Sequence, residues 1–360
     1  MRSSAASDVY KRQFMYDVDQ GFKVINHFAR NSDIPAIAVK EGINDNIDIT
    51  IAIPTFKRSL TLIDTIDSII KQKETIRYKC EILIVDNDPT RSCPTENLIK
   101  TQYLKQENLR YFKNSQNIGA FGNWNRCFEL ARGKWVILLH DDDFAYAELL
   151  TEVEAILYQH PDIGILKPAI ETWRDVGRPY VRQMIKEDRK KRFCRVKALD
   201  YVFLGNFLGA PTGCVFNREM VISLGGFNPD LYPNADTIFT LFASMHYKVF
   251  LYNKTLCVQR LGINDTLKEK TLFQFMYCRY TTISYLIKKY HLEFFLRQQY
   301  KNYVITGFYA DIKRWWCPDF TYDFSILGHD VYIQNKGLFY KYVIKAYLVM
   351  RMVKNRFVKL

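Results

Sequence analysis

The sequence predicts an α/β protein built on a parallel, doubly wound sheet, followed by a basic helical extension. Three observations predict it. Short apolar runs alternate with helix-period segments over short connections, as in a sheet wound by crossover helices. The polar clusters Thr55, Asp86 to Asp88 and Asp141 to Asp143 each fall where such a run stops. Ligands bind at the carboxyl ends of strands in such sheets. From Thr266 to Leu360 the pattern turns helical, aromatic and basic, with 16 Lys and Arg against 6 Asp and Glu.

Each element has its own signal. Met15 to Asp45 is polar and weakly patterned, a short helix and lead-in. Ile47 to Phe56 alternates apolar residues and stops at Pro54, as a first strand does. Ser59 is a candidate N-cap, and Leu60, Ile63, Ile66, Ile69 and Ile70 follow at helical spacing to about Lys73. Glu81 to Val85 is a second strand, ended by Asp86-Asn87-Asp88-Pro89, and Leu109 to Phe112 a third. Asn117-Ile118-Gly119 opens a helix through Leu130, with Gly133 at its end. Trp135 to Leu139 is a fourth strand, apolar on both faces. Beyond it come a helix over Tyr146 to Gln159 and a strand over Ile163 to Trp173. The basic loop from Arg174 to Arg195 is a candidate lid. Leu208 to Asn217 is an irregular strand, Arg218 to Leu224 a short helix ended by Gly225-Gly226. A helix over Asn234 to Tyr247 and a strand over Lys248 to Arg260 complete this part. The helices after Thr271 break around Pro318 and Gly337.

The net charge of +13 is uneven: residues after Asp265 carry +10 of it, and 23 of the 54 aromatic residues in the chain. Basic helices with aromatic faces suit an anionic membrane surface, or a helical cap with a solvated basic face. Nucleic acid is not expected as a partner, because the basic excess avoids the ligand edge and no nucleic-acid motif occurs. The eight cysteines include no pair at two-residue spacing, which argues against a zinc knuckle and for a reducing compartment. No run of 18 uncharged apolar residues and no signal peptide is visible, so a cytoplasmic protein, peripheral at most on the inner membrane face, is expected. Ser7-Asp8-Val9-Tyr10-Lys11-Arg12-Gln13 reads like a translated sequencing adapter, so 1–13 are set aside and the natural chain is expected to start near Phe14 or Met15.

His140-Asp141-Asp142-Asp143 ends the fourth strand with three carboxylates. Their mutual repulsion and desolvation make this a poor end for a core strand unless a cation sits there. Mg²⁺ or Mn²⁺ fits, since both prefer oxygen ligands and share their shell with phosphate. A solvated helix cap is the alternative. On extended backbone Asp141 and Asp143 point the same way, which makes them the candidate metal ligands, Asp143 foremost, with Asp142 turned to the opposite side. His140 reads as a packing residue.

Four segments over about Ile47 to Asn264 together resemble the family 2 glycosyltransferases. They are Ile53-Pro54-Thr55-Phe56, Ile84-Val85-Asp86-Asn87, Asn117 to Asp143, and Gly225-Gly226-Phe227-Asn228 followed by Asp236. The resemblance implies a GT-A type mixed sheet. It also implies a nucleotide-sugar-binding half over 47–145, an acceptor half over 146–265, and a helical region over 266–360 after a lead-in over 14–46. It implies inverting transfer from a nucleotide-sugar donor, UDP- or dTDP-linked, to a glycan or lipid-linked saccharide in bacterial surface polysaccharide synthesis. By the same resemblance Pro54, Thr55, Asp86, Asn117, Gly119, Asp141, Asp142 and Arg260 bind the donor, and Asp236 is the catalytic base. The chain departs from the family at Ala235, where Glu is common, and at Gly262, where His is common. Those departures leave a catalytically inactive glycan-binding relative as the alternative reading.

Overall fold

The protein is described from a computed structural model, over residues 18–42, 46–72, 77–174, 193–261, 267–327 and 337–357. The adapter-like stretch 1–13, Gly262 and most of the expected lid lie outside these residues. The chain forms two compact units. One comprises Lys23–Val196 and Leu208–Asn264; the other comprises Met1–Phe22, Lys197–Phe207 and Asp265–Leu360. The division is therefore not linear, because the short segment Lys197–Phe207 groups with the C-terminal region rather than with the residues around it.

The first unit is a ten-stranded mixed sheet. Its strands are β1 (Ala36–Lys40), β2 (Ile49–Thr55), β3 (Cys80–Asp86), β4 (Leu109–Asn114), β5 (Trp135–Leu138), β6 (Phe144–Ala145), β7 (Ile163–Arg174), β8 (Phe193–Val196), β9 (Cys214–Asn217) and β10 (Lys248–Leu261). The order is β1-β4-β3-β2-β5-β9-β7-β10-β6, with β8 pairing on β10. Only β4-β3-β2-β5 and the β7–β10 pair are parallel; β1, β6, β8 and β9 run against their neighbours. Element alternation alone argued for a parallel sheet; the sheet is mixed, as the resemblance implied. Strand direction depends on how a connection returns, which the alternation does not encode. The antiparallel β9 has a consequence for the site: its first residue, Cys214, pairs with Leu138 at the carboxyl end of β5.

The six α-helices described in this unit are named in chain order with those of the second. They begin with α1 (Ser59–Ile70), α2 (Pro94–Gln102), α3 (Ala120–Leu130) and α4 (Leu149–Gln159). The short α5 (Ala198–Leu204) belongs to the second unit. Then come α6 (Arg218–Ser223) and α7 (Ala235–His246) in the first unit, and α8 (Glu269–Lys289), α9 (Gln298–Asp311) and α10 (Gly337–Phe357) in the second. Ile49, Ile51 and Ile53 of β2 share a face, as the period of two demands, and bury it against Leu62 and Ile66 of α1, Leu98 of α2 and Val153 of α4. On the other face α3 packs on β2 and β3. Gly133 is not a left-handed helix cap; a Cβ there would meet the Thr50 backbone nitrogen at 2.6 Å, so it is a close-approach glycine.

In the second unit, Leu272 and Met276 of α8 meet Ile305 of α9 and Phe320 in a separate apolar cluster. Asp200 on α5 is fully buried and accepts from the Lys197 backbone N–H, the Tyr347 hydroxyl and the Arg351 guanidinium, which fastens α10.

Candidate active site

The carboxyl ends of β2, β3 and β5 meet as the register requires, with Thr55 beside Asp86 and Ile49 aligned with both Cys80 and Trp135. Past Leu138 the strand geometry stops. His140 to Asp143 form a turn, closed by the Asp143 N–H donating to the His140 carbonyl at 3.2 Å. Alternation therefore no longer decides which side chains meet, and the pairing expected for Asp141 and Asp143 is not seen. Asp141 turns back to the β2 end. Its Oδ2 accepts from Thr55 Oγ1 at 2.8 Å and the Phe56 N–H at 3.3 Å, and its Oδ1 from Arg58 Nη1 at 3.1 Å. Arg58 also reaches Asp142 Oδ2 at 2.8 Å.

The turn brings His140 and Asp143 together instead. The His140 Nδ1 lies 3.4 Å from Asp143 Oδ2. Donor atoms of His140, Asp142 and Asp143 all fall within 4.8 Å of one another. Asp143 is 0% exposed; its Oδ1 accepts from the Arg260 N–H at 2.8 Å, while its Oδ2 has no hydrogen-bond partner among the described residues. This close set of buried donor atoms, with neither Asp143 Oδ2 nor His140 Nε2 making a hydrogen bond among the described residues, fits a divalent cation. The ligand set supported by geometry is Asp142, Asp143 and His140, with Asp141 held elsewhere.

Electrostatics follow from burial. Burial pushes the Asp142 carboxyl up to about 6, reinforced by Asp143 and opposed by His140. Burial also raises Asp141, against the pull of Arg58 and Thr55. Burial alone would lower the His140 imidazole, but the Asp143 carboxylate leads the other two in holding it above its ordinary value.

The other candidates sit around this centre. Arg260 stays beside it, but its side chain is engaged: Nε donates to the Asp142 carbonyl, Nη1 to Asp64 at 2.8 Å and Nη2 to the Thr61 carbonyl at 3.3 Å. Asp86 is fully buried; it accepts from Tyr111 Oη at 2.7 Å and the Asp88 N–H at 2.9 Å, and burial raises its pKa. Asn117 accepts from Asn87 Nδ2 at 2.7 Å and the Gly119 N–H at 2.9 Å. Gly119 takes φ +76° at the start of α3. Asn87, Asn114 and Asn123 continue this amide ladder and pin α3 to the end of β3. Pro54 is buried one residue before Thr55.

Asp236 lies in the first turn of α7, partly exposed. Burial pushes its carboxyl up to about 6, against the Thr237 N–H and the charge of His140. The influence of His140 places Asp236 within electrostatic reach of the three-carboxylate turn, although 93 residues of sequence separate Asp143 from it.

The sequence reading passed over three contributors. Arg58 follows the strand-ending Thr55 by three residues, and a cation just past a strand end facing three carboxylates was a readable signal. Trp124 stacks its ring on His140 at 5.2 Å and 29°, and Thr212 accepts from the His140 N–H at 3.4 Å. Nothing in the local sequence marks either, because α3 and the loop before antiparallel β9 bring them in.

A family model described as glycosyl transferase family 2 matches residues 50–225. Among curated relatives, an uncharacterized protein of Mycobacterium tuberculosis is 27% identical over 222 residues, covering 59% of this chain and 66% of its own. An uncharacterized glycosyltransferase of Haemophilus influenzae is 24% identical over 194 residues, covering 54% and 60%. The chain thus spans just under two thirds of these two relatives. The S. aureus TarS fragment 1-349, solved in complex with UDP-GlcNAc, has TM-score 0.52 and 16% identity, covering 76% of this chain and 74% of that one. That likeness speaks to the fold.

Proposed function

Residues 50–225 belong to the glycosyl transferases of family 2, and on that premise we propose that the protein transfers a sugar from a nucleotide-sugar donor to a saccharide acceptor with inversion. The carrying observation is the buried turn at the end of β5, where donor atoms of His140, Asp142 and Asp143 lie within 4.8 Å of one another and neither Asp143 Oδ2 nor His140 Nε2 makes a hydrogen bond among the described residues. Such a set would hold Mg²⁺ or Mn²⁺, and the ion would neutralise charge developing on the leaving diphosphate. This chain's own residues do the rest. Arg58 neutralises the two carboxylates nearest β2 and keeps that edge open to an anionic donor. The amide ladder fixes the start of α3 at the same edge. Asp236, with a carboxyl near 6, is ionised at neutral pH and basic enough to take the acceptor hydroxyl proton. One base and a single displacement give inversion. A UDP- or dTDP-sugar is the donor proposed, a glycan or lipid-linked saccharide the acceptor, and surface polysaccharide synthesis the setting.

The test is nucleotide release from a donor panel, with and without chelator. Release should require Mg²⁺ or Mn²⁺, and Asp143→Ala should abolish it while the fold persists. Full release in excess chelator would refute metal dependence. Donor binding with no turnover on any acceptor would favour the inactive relative.

A further inference from the structure

The second unit carries a feature that the transfer chemistry does not use. On α10, Tyr340 and Tyr347 are buried, and they mark the packed face of the helix. The opposite face is apolar yet open: Phe339, Tyr342 and Val349 are each 61% exposed and Met350 60%. Their spacings of three, seven and one residues put them on one stripe at 3.6 residues per turn, with exposed Ala346 between them. Exposed Lys341 and Lys345, one turn apart, border the stripe. With Tyr303, Tyr342 and Ile344 they line a cavity of about 350 Å³. From Gly337 to Phe357 the sequence holds five Lys and Arg and no Asp or Glu.

We propose that this face of α10 docks on the surface of an anionic lipid bilayer, with the stripe in the acyl boundary and Lys341 and Lys345 on headgroup phosphates. Three occupants could cover an apolar stripe, and charge separates them. A second copy of the helix would set cations against cations, whereas protein interface cores are depleted of charge. A nucleic acid would satisfy the lysines and leave Phe339, Val349 and Met350 in water. A bilayer supplies both an apolar layer and a negative surface. The helix lies on the membrane rather than across it, since no helix among the described residues is long and apolar enough to span one. This inference does not depend on the catalytic reading.

The experiment is co-sedimentation of the full chain with phosphatidylcholine vesicles, with and without phosphatidylglycerol, over a salt series. Binding is expected only to the anionic vesicles and to weaken with salt. Lys341→Glu with Lys345→Glu should lower the partition more than tenfold, since one lysine near such a surface is worth about fivefold. Val349→Glu with Met350→Glu should do the same. All four positions are exposed, so melting temperatures should match wild type; if one pair perturbs folding, the other decides. Equal binding to both vesicle types, or binding indifferent to both pairs, would overturn the proposal. So would variants that change oligomeric state or RNA retention while vesicle binding stays constant.

Discussion

At the scale of single residues, Asp236 carries the most specific expectation. Asp236→Asn keeps the size of the side chain and its place in the first turn of α7 but removes the basic oxygen. Transfer should fall by about 10²–10⁴-fold, the usual worth of a positioned base. Nucleotide affinity and melting temperature, measured on the same variant, should stay near wild type. An ordinary first-turn Asp, favoured only by the helix dipole, would leave transfer nearly unchanged. The pH profile gives an independent reading. Because the carboxyl sits near 6, the acid limb of transfer should bend near pH 6, well above the range of an exposed aspartate. A limb that stays flat down to pH 4.5 would assign the base elsewhere.

Elements set how precisely these residues meet, and two of their anchors can be broken separately. Gly225 takes φ +88° after α6, and a Cβ there would lie 1.9 Å from the Ile25 carbonyl oxygen. The same tight approach lets its own carbonyl accept from the His27 N–H at 2.8 Å. Gly225→Ala should therefore cost at least about 2 kcal/mol. Gly119 has a similar φ, +76°, but no atom lies within 4 Å of its would-be Cβ. Gly119→Ala should cost the backbone strain alone, about 1–3 kcal/mol, because φ +76° with ψ 169° is a conformation essentially confined to glycine. Denaturant midpoints of the two variants should rank in that order, and equal losses would show that the Ile25 contact does not matter. In the second unit, Asp200→Ala would remove the buried carboxylate to which both the Tyr347 hydroxyl and the Arg351 guanidinium donate. Breaking such a pair costs about 3–5 kcal/mol. Protease should then cut α10 faster than α8 or α9, and uniform cleavage would mean that Asp200 does not fasten that helix.

For the whole molecule, stability should depend on pH and metal together. Asp142 and Asp236 both have folded values near 6, raised from 3.8. Between about pH 4 and 6 the folded protein thus keeps protons that the unfolded chain has released. Their contribution to stability is fully present below the unfolded value and lost as pH rises through 6. Asp142→Asn should therefore melt above wild type at pH 7.5 and close to it at pH 4.5. Mn²⁺ should act in the opposite sense to that loss. Its ligands must be deprotonated to bind, so it should raise the wild-type melting temperature more at pH 7.5 than at pH 5. Asp142→Asn should lose most of that gain. A wild-type melting temperature indifferent to Mn²⁺ at both pH values would mean that the turn does not hold the ion.

Much of this architecture was legible in the chain. Apolar periodicity located β2, β3, β5, β7 and β10 and the helices that cover them, because burying one face imposes its period on the sequence. The same patterns put Thr55, Asp86 and the three carboxylates at strand ends. Elements with little apolar face left little trace: edge strand β1, two-residue β6, and α2 with its mean composition polar, all passed unread. The pairing within the carboxylate turn was misread for a different reason. Alternation holds only while the backbone is extended, and the extended backbone ends at Leu138. Beyond that point, partners are chosen by the fold. Arg58 comes from the β2 end, Trp124 from α3, Thr212 from the loop before β9, and Arg260 from β10. A strand or helix is written in neighbours a few residues apart, so local sequence determined the scaffold and its polar edge. The site joins residues up to about two hundred positions apart across a sheet whose mixed strand directions no local pattern encodes, so only the tertiary structure decided that His140, rather than Asp141, stands with Asp142 and Asp143.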